Sequence, residues 1–357
     1  MVNIVIIGAG IVGAAIAYEL SSSKNAHITL IDEKYPASGA TQGALGVLMG
    51  AISHKTQGRA WKLRQRSLER YDSLILELEA ITGEKIPYNS QGIVMLRFEG
   101  EDLSRWQRLA QIRQQQGFPL EIWNTSDLSK HCPEVNNEQV IGAIYSPCDR
   151  QVNPTILTQS LVQAAIKNGV NCQFGVRVLE VLYQDNFCYK IQTNQEFLPV
   201  DWLIIAAGVG SKYLTKSLDI CPVLGQALHL KIDNSDQSKE FEPVITGKDV
   251  HIVPLKNGEY WIGATVEFPT ETGVSIADTQ LLESVQKIAI SFCPQLAQGK
   301  ILRTWKSKRP RPVGKSAPVI ENLENYANVF LATGHYRNGV LLAPATAQLI
   351  REKIGSL

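Results

Sequence analysis

Residues 2–34 read VNIVIIGAGIVGAAIAYELSSSKNAHITLIDEK. A β-branched run ending at Ile7 leads into Gly8-x-Gly10-x-x-Gly13, then alanines and isoleucines at helical spacing, then the short apolar run HITLID ending at Asp32. That succession is the pattern of strand, tight turn, helix and second strand. Each glycine has its own task. Gly8 permits the sharp turn, Gly10 lets a pyrophosphate approach the backbone, and Gly13 lets the helix lie close on the sheet. The free N–H groups of the helix N-terminus attract the phosphates. Asp32 ends the second strand at about the expected distance of roughly 20 residues, where a carboxylate accepts both hydroxyls of an adenosine ribose. With that acid present and no arginine directly after it, the ribose is expected to be unphosphorylated.

The following stretch, YPASGATQGALGVLMG (35–50), is a long uncharged run of small residues. A nicotinamide-binding unit would continue straight into helix. Here Ser38, Thr41, Gly43 and Gly46 let the backbone close over a second stretch of a bulkier dinucleotide, which favours FAD over NAD. Further on, DWLIIAAGVGS (201–211) is a buried strand running into small residues, with Gly208 at a second close approach to the cofactor. The cofactor fold therefore resumes after an insertion. The expected class is α/β: a discontinuous Rossmann-like FAD-binding domain over 1–85, 149–222 and 306–357, and a second, α+β substrate domain on an antiparallel sheet over 86–148 and 223–305.

The chain has 357 residues, 44% of them hydrophobic and 19% charged, with a net charge of +1. These are ordinary values for a globular protein with room for two cores. The balanced charge speaks against a nucleic-acid footprint or an anionic membrane surface. Residues 1–20 lack the basic start of a targeting signal, and no other run is long enough to span a bilayer. The six cysteines are scattered without a C-x-x-C pair, which argues against a zinc site or a disulfide framework and suits a reducing, cytoplasmic setting.

Between the cofactor segments, residues 61–83 form an amphipathic helix with Trp61, Leu68, Tyr71, Ile75 and Leu78 on one face. Asn257-Gly258 supplies the positive φ angles of a two-residue hairpin turn. His251 lies on the first strand of that hairpin and Val266 on its second. A lone strand histidine is more often a hydrogen-bonded structural group than a catalyst. The basic, proline-rich run TWKSKRPRPVGKSAP (304–318) is expected to be mostly exposed loop, including Lys306, Lys308 and Arg311.

With NVFLATGHYRNGVLLAPATA (328–347) the chain resembles the FAD-dependent D-amino-acid oxidase superfamily, and within it the glycine oxidases of thiamine biosynthesis. GAGIVGAAIAYEL with Asp32, SGATQGALGVL, AAGVGS, PVLGQ, HIVP followed by GATVE, and the segment from Trp305 to Arg309 carry the same resemblance along nearly the whole length. It implies FAD contacts at Ile11, Val12, Asp32, Glu33, Ala40, Thr41, Leu45, Gly46, Val47 and Val178. It also implies a loop around the isoalloxazine formed by His335, Tyr336, Arg337, Asn338, Gly339, Val340 and Leu341. Arg309 and Arg337 match the two arginines that face an amino-acid substrate. His251 stands where those enzymes place a tyrosine toward the substrate carboxylate; it can donate a hydrogen bond there, but in a pH-sensitive way. Val266 replaces a methionine of glycine oxidases or a lysine of sarcosine oxidases, and brings no polar group to assist oxygen.

The implied reaction is oxidative deamination: a hydride passes from Cα to the flavin N5, and the imino acid hydrolyses to a 2-oxo acid and ammonia. A guanidinium forked onto the carboxylate orients the substrate, with Arg309 the first choice and Arg337 the second. The last helix directs its N-terminus at charge developing on the reduced ring. No cysteine neighbours Arg309, so the flavin is expected to be dissociable. Oxygen and a quinone both remain open as electron acceptor, the latter in a D-amino-acid or proline-type dehydrogenase. A non-catalytic flavoprotein subunit and homo-oligomer formation also remain open.

Overall fold

The computed structural model describes residues 1–215, 217–233, 240–270 and 273–355. Strand β1 (Val2–Ile7), helix α1 (Ile11–Leu20) and strand β2 (Ala26–Asp32) realise the opening motif. β1 and β2 pair in parallel from Val2↔Ala26 to Ile7↔Ile31. Gly8 has φ of +108°, and a Cβ on Gly13 would fall 1.8 Å from the Gly8 carbonyl oxygen, so α1 lies on the turn with no space for a side chain.

These strands belong to a six-stranded sheet ordered Val319–Asn322, Val329–Thr333, Trp202–Ile205, β1, β2, Asn171–Phe174. Every neighbouring pair is parallel except the first. Ile4, Ile6, Leu203, Ile204, Ile205 and Val329 are fully buried, as parallel strands covered on both faces require. Helix α1 packs on the C-terminal helix Gly339–Ile354 and on Pro154–Lys167.

An eight-stranded sheet is ordered Lys300–Pro312, Ile220–Lys231, Glu259–Gly263, Val250–Pro254, Val244–Gly247, Ile93–Phe98, Val140–Ser146, Glu121–Trp123. It is antiparallel apart from the pairing of Val244–Gly247 with Ile93–Phe98. The six strands of the first sheet come from 1–85, 149–222 and 306–357. Two strands of the second sheet run through the expected boundaries at 222 and 306, because their pairing is continuous there from Ile220↔Pro312 to His229↔Arg303.

That pairing corrects the reading of 304–318 as loop for 304–312, which belong to the edge strand Lys300–Pro312, while 313–318 is loop as expected. The strand's prolines and exposed Lys306, Lys308 and Arg311 suit an edge, where they deter pairing with another chain. The hairpin at Asn257 and Gly258 has the expected positive φ angles of 62° and 70°, but they sit in a short 3-10 turn, Lys256–Gly258, rather than a two-residue loop. Helix α2 (Gly58–Thr82) buries Trp61, Leu68, Tyr71, Ile75 and Leu78. The Tyr71 hydroxyl donates to the Val340 carbonyl and so pins the first turn of the C-terminal helix.

Candidate active site

A cleft of about 840 Å³ runs from the Gly8–Val12 turn, over the 38–47 loop, to the C-terminal turn and the edge of the large sheet. Gly8, Gly10, Ile11, Val12, Asp32, Glu33, Ala40, Thr41, Leu45, Gly46, Val47, Val178 and Gly208 line one arm of it. His335, Tyr336, Arg337, Gly339, Val340, His251 and Arg309 line the other. Three expected residues stand outside its wall. Gly13 faces the Gly8 carbonyl in the packing already described, Leu341 is buried in the core, and Asn338 precedes the C-terminal helix without capping it.

The cleft is built for a dinucleotide. The start of α1 has no side-chain cap, which leaves helix donors for phosphate; the Ile11 N–H alone is taken by the Thr41 hydroxyl at 3.0 Å. This bond ties the 38–47 loop to the helix start. Asp32 accepts the N–H groups of Ala9 (2.7 Å) and Lys34 (2.8 Å) and keeps further lone pairs for a ribose. Burial raises its pKa while those two N–H groups oppose the rise. Gly46, at φ +73°, would drive a Cβ to 1.8 Å from the Val152 carbonyl oxygen, so that loop is seated by close backbone approach.

The second arm carries the charge. Arg309 is half-buried and donates from Nη1 to the carbonyls of Leu224 (3.2 Å) and Thr265 (3.0 Å). Burial and then the neighbouring Arg337 charge lower its pKa. No carboxylate among the described residues forms an ion pair with either arginine. Glu267, the nearest buried acid, instead accepts from Gln226 (3.0 Å), the Asp278 N–H (2.8 Å) and the Thr265 hydroxyl. Val266 faces the cleft as an apolar wall.

Tyr336 carries a left-handed φ of +55°, a conformation that costs a non-glycine residue about 1–2 kcal/mol and so needs its surroundings to impose it. It stands beside Arg337 at the entry to the C-terminal helix. His335 contributes backbone to the cleft, while its Nε2 meets the Thr346 hydroxyl at 3.0 Å inside the core. Burial lowers the pKa of this imidazole to about 3. Between that value and its ordinary 6.5, the unfolded chain binds a proton that the folded chain does not, so stability rises with pH across the window. It is fully present above about 6.5 and is lost as pH falls toward 3. The melting temperature is therefore expected to drop on acidification below 6.5, and His335→Gln should flatten that slope; equal slopes would refute this account.

Among the wall residues that sequence reasoning did not single out, two bear on the second arm. Gly225 abuts the Arg309 guanidinium, and Asp249 sits at the cleft edge beside His251. The signal for Gly225 was a glycine in mid-strand, which marks close approach of another group; Asp249 has no such signal.

A glycine turn into a helix, an acid ending the second strand, and a cleft that spans two sheets and ends in unpaired guanidinium groups define a dinucleotide-dependent redox class. Residues 3–353 match the family described as DAO, FAD dependent oxidoreductase, and the chain belongs to it. FAD is thus its cofactor. The bifunctional protein ThiO/ThiG of a Nostoc species is 31% identical over 354 residues, covering 99% of this chain and 52% of that protein. Glycine oxidase of Bacillus subtilis is 28% identical over 98% of this chain and 92% of its own length. The crystal structure of glycine oxidase from Geobacillus kaustophilus superposes with a TM-score of 0.87 at 23% identity, covering 98% of this chain and 94% of that one; this likeness speaks for the fold. The chain spans about half the length of the ThiO/ThiG relatives it matches. Among the described residues no helix is long and apolar enough to cross a membrane.

Proposed function

We propose that the protein oxidatively deaminates glycine or another small amino acid, giving the imino acid, which hydrolyses to the 2-oxo acid and ammonia. The observation that carries this reading is Arg309: a half-buried guanidinium in a redox cleft, with two backbone carbonyls for company and no ion-pair partner among the described residues. A cation so placed gains most from an anionic ligand, and its free N–H groups fit a carboxylate fork. Arg337 adds positive potential from the facing turn. When bound, FAD supplies the acceptor for the two electrons leaving Cα. The protein's part is to hold the carboxylate, keep Cα against the ring and set uncapped helix donors near the charge that develops.

In this reading 1–85, 149–222 and 306–357 hold the cofactor without a covalent bond and carry Arg309 and Arg337, while 223–305 adds Gly225, His251, Ala264 and Val266 to the substrate wall. The scattered cysteines, with no C-x-x-C pair, support a cytoplasmic, reducing setting, and a role in thiamine synthesis follows the glycine-oxidase resemblance. Oxygen, reduced to hydrogen peroxide, is the proposed electron acceptor.

Anaerobic addition of glycine, sarcosine, D-alanine and D-proline to the yellow holoprotein tests the reading. Bleaching by at least one, followed by peroxide on readmission of air, is the expected result. Bleaching without peroxide would move the assignment to a quinone-linked dehydrogenase, and no bleaching by any amino acid would refute the deaminase. Acid precipitation is expected to leave the flavin in the supernatant; colour retained on the polypeptide would refute dissociable binding.

A further inference from the structure

We propose that Thr246 holds His251 in its Nδ1–H tautomer, so that Nε2 turns a lone pair to the cleft and receives an N–H of the substrate amine. The proposal rests on the amino-acid reading above and assigns the nitrogen side of the same site. It reverses the role that a tyrosine hydroxyl, a donor to carboxylate, would play at this position.

The argument begins with one proton. Val244–Gly247 and Val250–Pro254 form a hairpin closed by Lys248 and Asp249, whose φ angles are 50° and 62°. Thr246 pairs with His251 across it, which brings the two side chains together on one face. The Thr246 Oγ1 lies 2.7 Å from His251 Nδ1 and 3.1 Å from the Val250 carbonyl oxygen. A hydroxyl has a single hydrogen to donate, and a carbonyl can only accept. With that hydrogen given to Val250, the hydroxyl oxygen accepts from Nδ1, which then carries the proton. The other tautomer would set a hydroxyl lone pair against the carbonyl at 3.1 Å.

His251 lines the cleft, and among the described residues Nε2 has no hydrogen-bond partner within the protein. A neutral imidazole protonated at Nδ1 is an acceptor at Nε2. The charged groups facing it are Asp249, which favours the imidazolium, and Arg337 and Arg309, which oppose it. Burial, aided by the two arginines, outweighs Asp249 and lowers the pKa to about 4, so the ring is neutral at physiological pH rather than titrating near it. The same two arginines disfavour a substrate ammonium and favour the neutral amine, the form from which hydride leaves. A neutral primary or secondary amine has an N–H for Nε2, and a tertiary amine has none. The site is therefore assigned to amino acids with at least one N–H, with N-methyl substituents tolerated singly.

Acetate carries the carboxylate without the amine and separates the two roles. In the holoprotein, Thr246→Val is expected to raise the KM for glycine roughly 3- to 10-fold, as loss of one oriented hydrogen bond does. The acetate Kd, read from the flavin absorption band, should stay within about 2-fold. Thr246→Ser, which keeps the hydroxyl, should restore the KM and also shows that any loss in the valine variant is not misfolding. N,N-dimethylglycine should fail to bleach the flavin where sarcosine succeeds. Nitrogen-15 NMR of the ring, assigned by difference with His251→Gln, should show Nδ1 protonated and Nε2 bare. A protonated Nε2, or acetate weakened in parallel with glycine, overturns the proposal. Failure of every amino acid to bleach the wild-type protein would instead refute the deaminase reading itself, while the NMR result still decides the tautomer.

Discussion

Arg309→Met is expected to abolish reduction of the flavin by amino acids while the purified protein stays yellow. Methionine matches the apolar stem of arginine but removes the charge and the fork. Truncating one partner of a desolvated, hydrogen-bonded charge pair costs about 2–5 kcal/mol, or roughly 30- to 4,000-fold in kcat/KM for the substrate. The fold should tolerate the change. Of the two carbonyls that Arg309 holds, Leu224 keeps the Glu267 N–H at 2.9 Å, and only the Thr265 carbonyl, on a buried residue, loses its Arg309 bond, a cost of about 1–3 kcal/mol. Arg309→Lys should fall between the two, because an ammonium keeps the attraction and loses the parallel pair of bonds. Colourless protein would make Arg309 a structural residue, and unchanged bleaching would show that the carboxylate is held elsewhere.

The parts of this site that were legible in sequence are those whose chemistry is local. Gly8, Gly10 and Gly13 announce themselves because positive φ and missing Cβ atoms are demanded within one turn, and Asp32 because it closes the adjacent strand. The helix Gly58–Thr82 was readable from its apolar face for the same reason. The stretch 304–312 misled because lysines, arginines and prolines read as loop when the partner strand is unknown; paired with Ile220–Lys231 it is an edge, where those residue types belong.

What stayed hidden depends on register between distant strands or on an atypical turn. Lys248 and Asp249 close a tight hairpin with positive φ angles, yet neither is the Asn-Gly that marks such a turn, so the seat of His251 on Thr246 could not be foreseen. The stacking of Arg309 on Gly225 likewise follows only from the pairing of Gly225 with Ser307, two residues before the arginine.

That last contact makes Gly225→Ala a sharper probe than its size suggests. An added Cβ would stand 2.2 Å from Nη1, 2.3 Å from Nη2 and 2.4 Å from Cζ of Arg309, so one of the two must give way. The backbone cannot, because the two strands pair without interruption from Ile220↔Pro312 to His229↔Arg303. The guanidinium is the far end of a flexible side chain and will swing out, losing its bonds to the Leu224 and Thr265 carbonyls. Gly225 has no positive φ, so alanine fits the strand without backbone strain; a gain of about 0.4–1 kcal/mol from restricting the unfolded chain is set against about 1–3 kcal/mol for the buried Thr265 carbonyl that loses its bond. The melting temperature is therefore expected to stay close to that of Arg309→Met, which loses the same two bonds, while kcat/KM for the amino acid falls toward that variant's value. A protein clearly less stable than Arg309→Met would indicate that the strands, not the guanidinium, absorb the methyl group. An unchanged KM would show that Arg309 can hold the substrate from another seat.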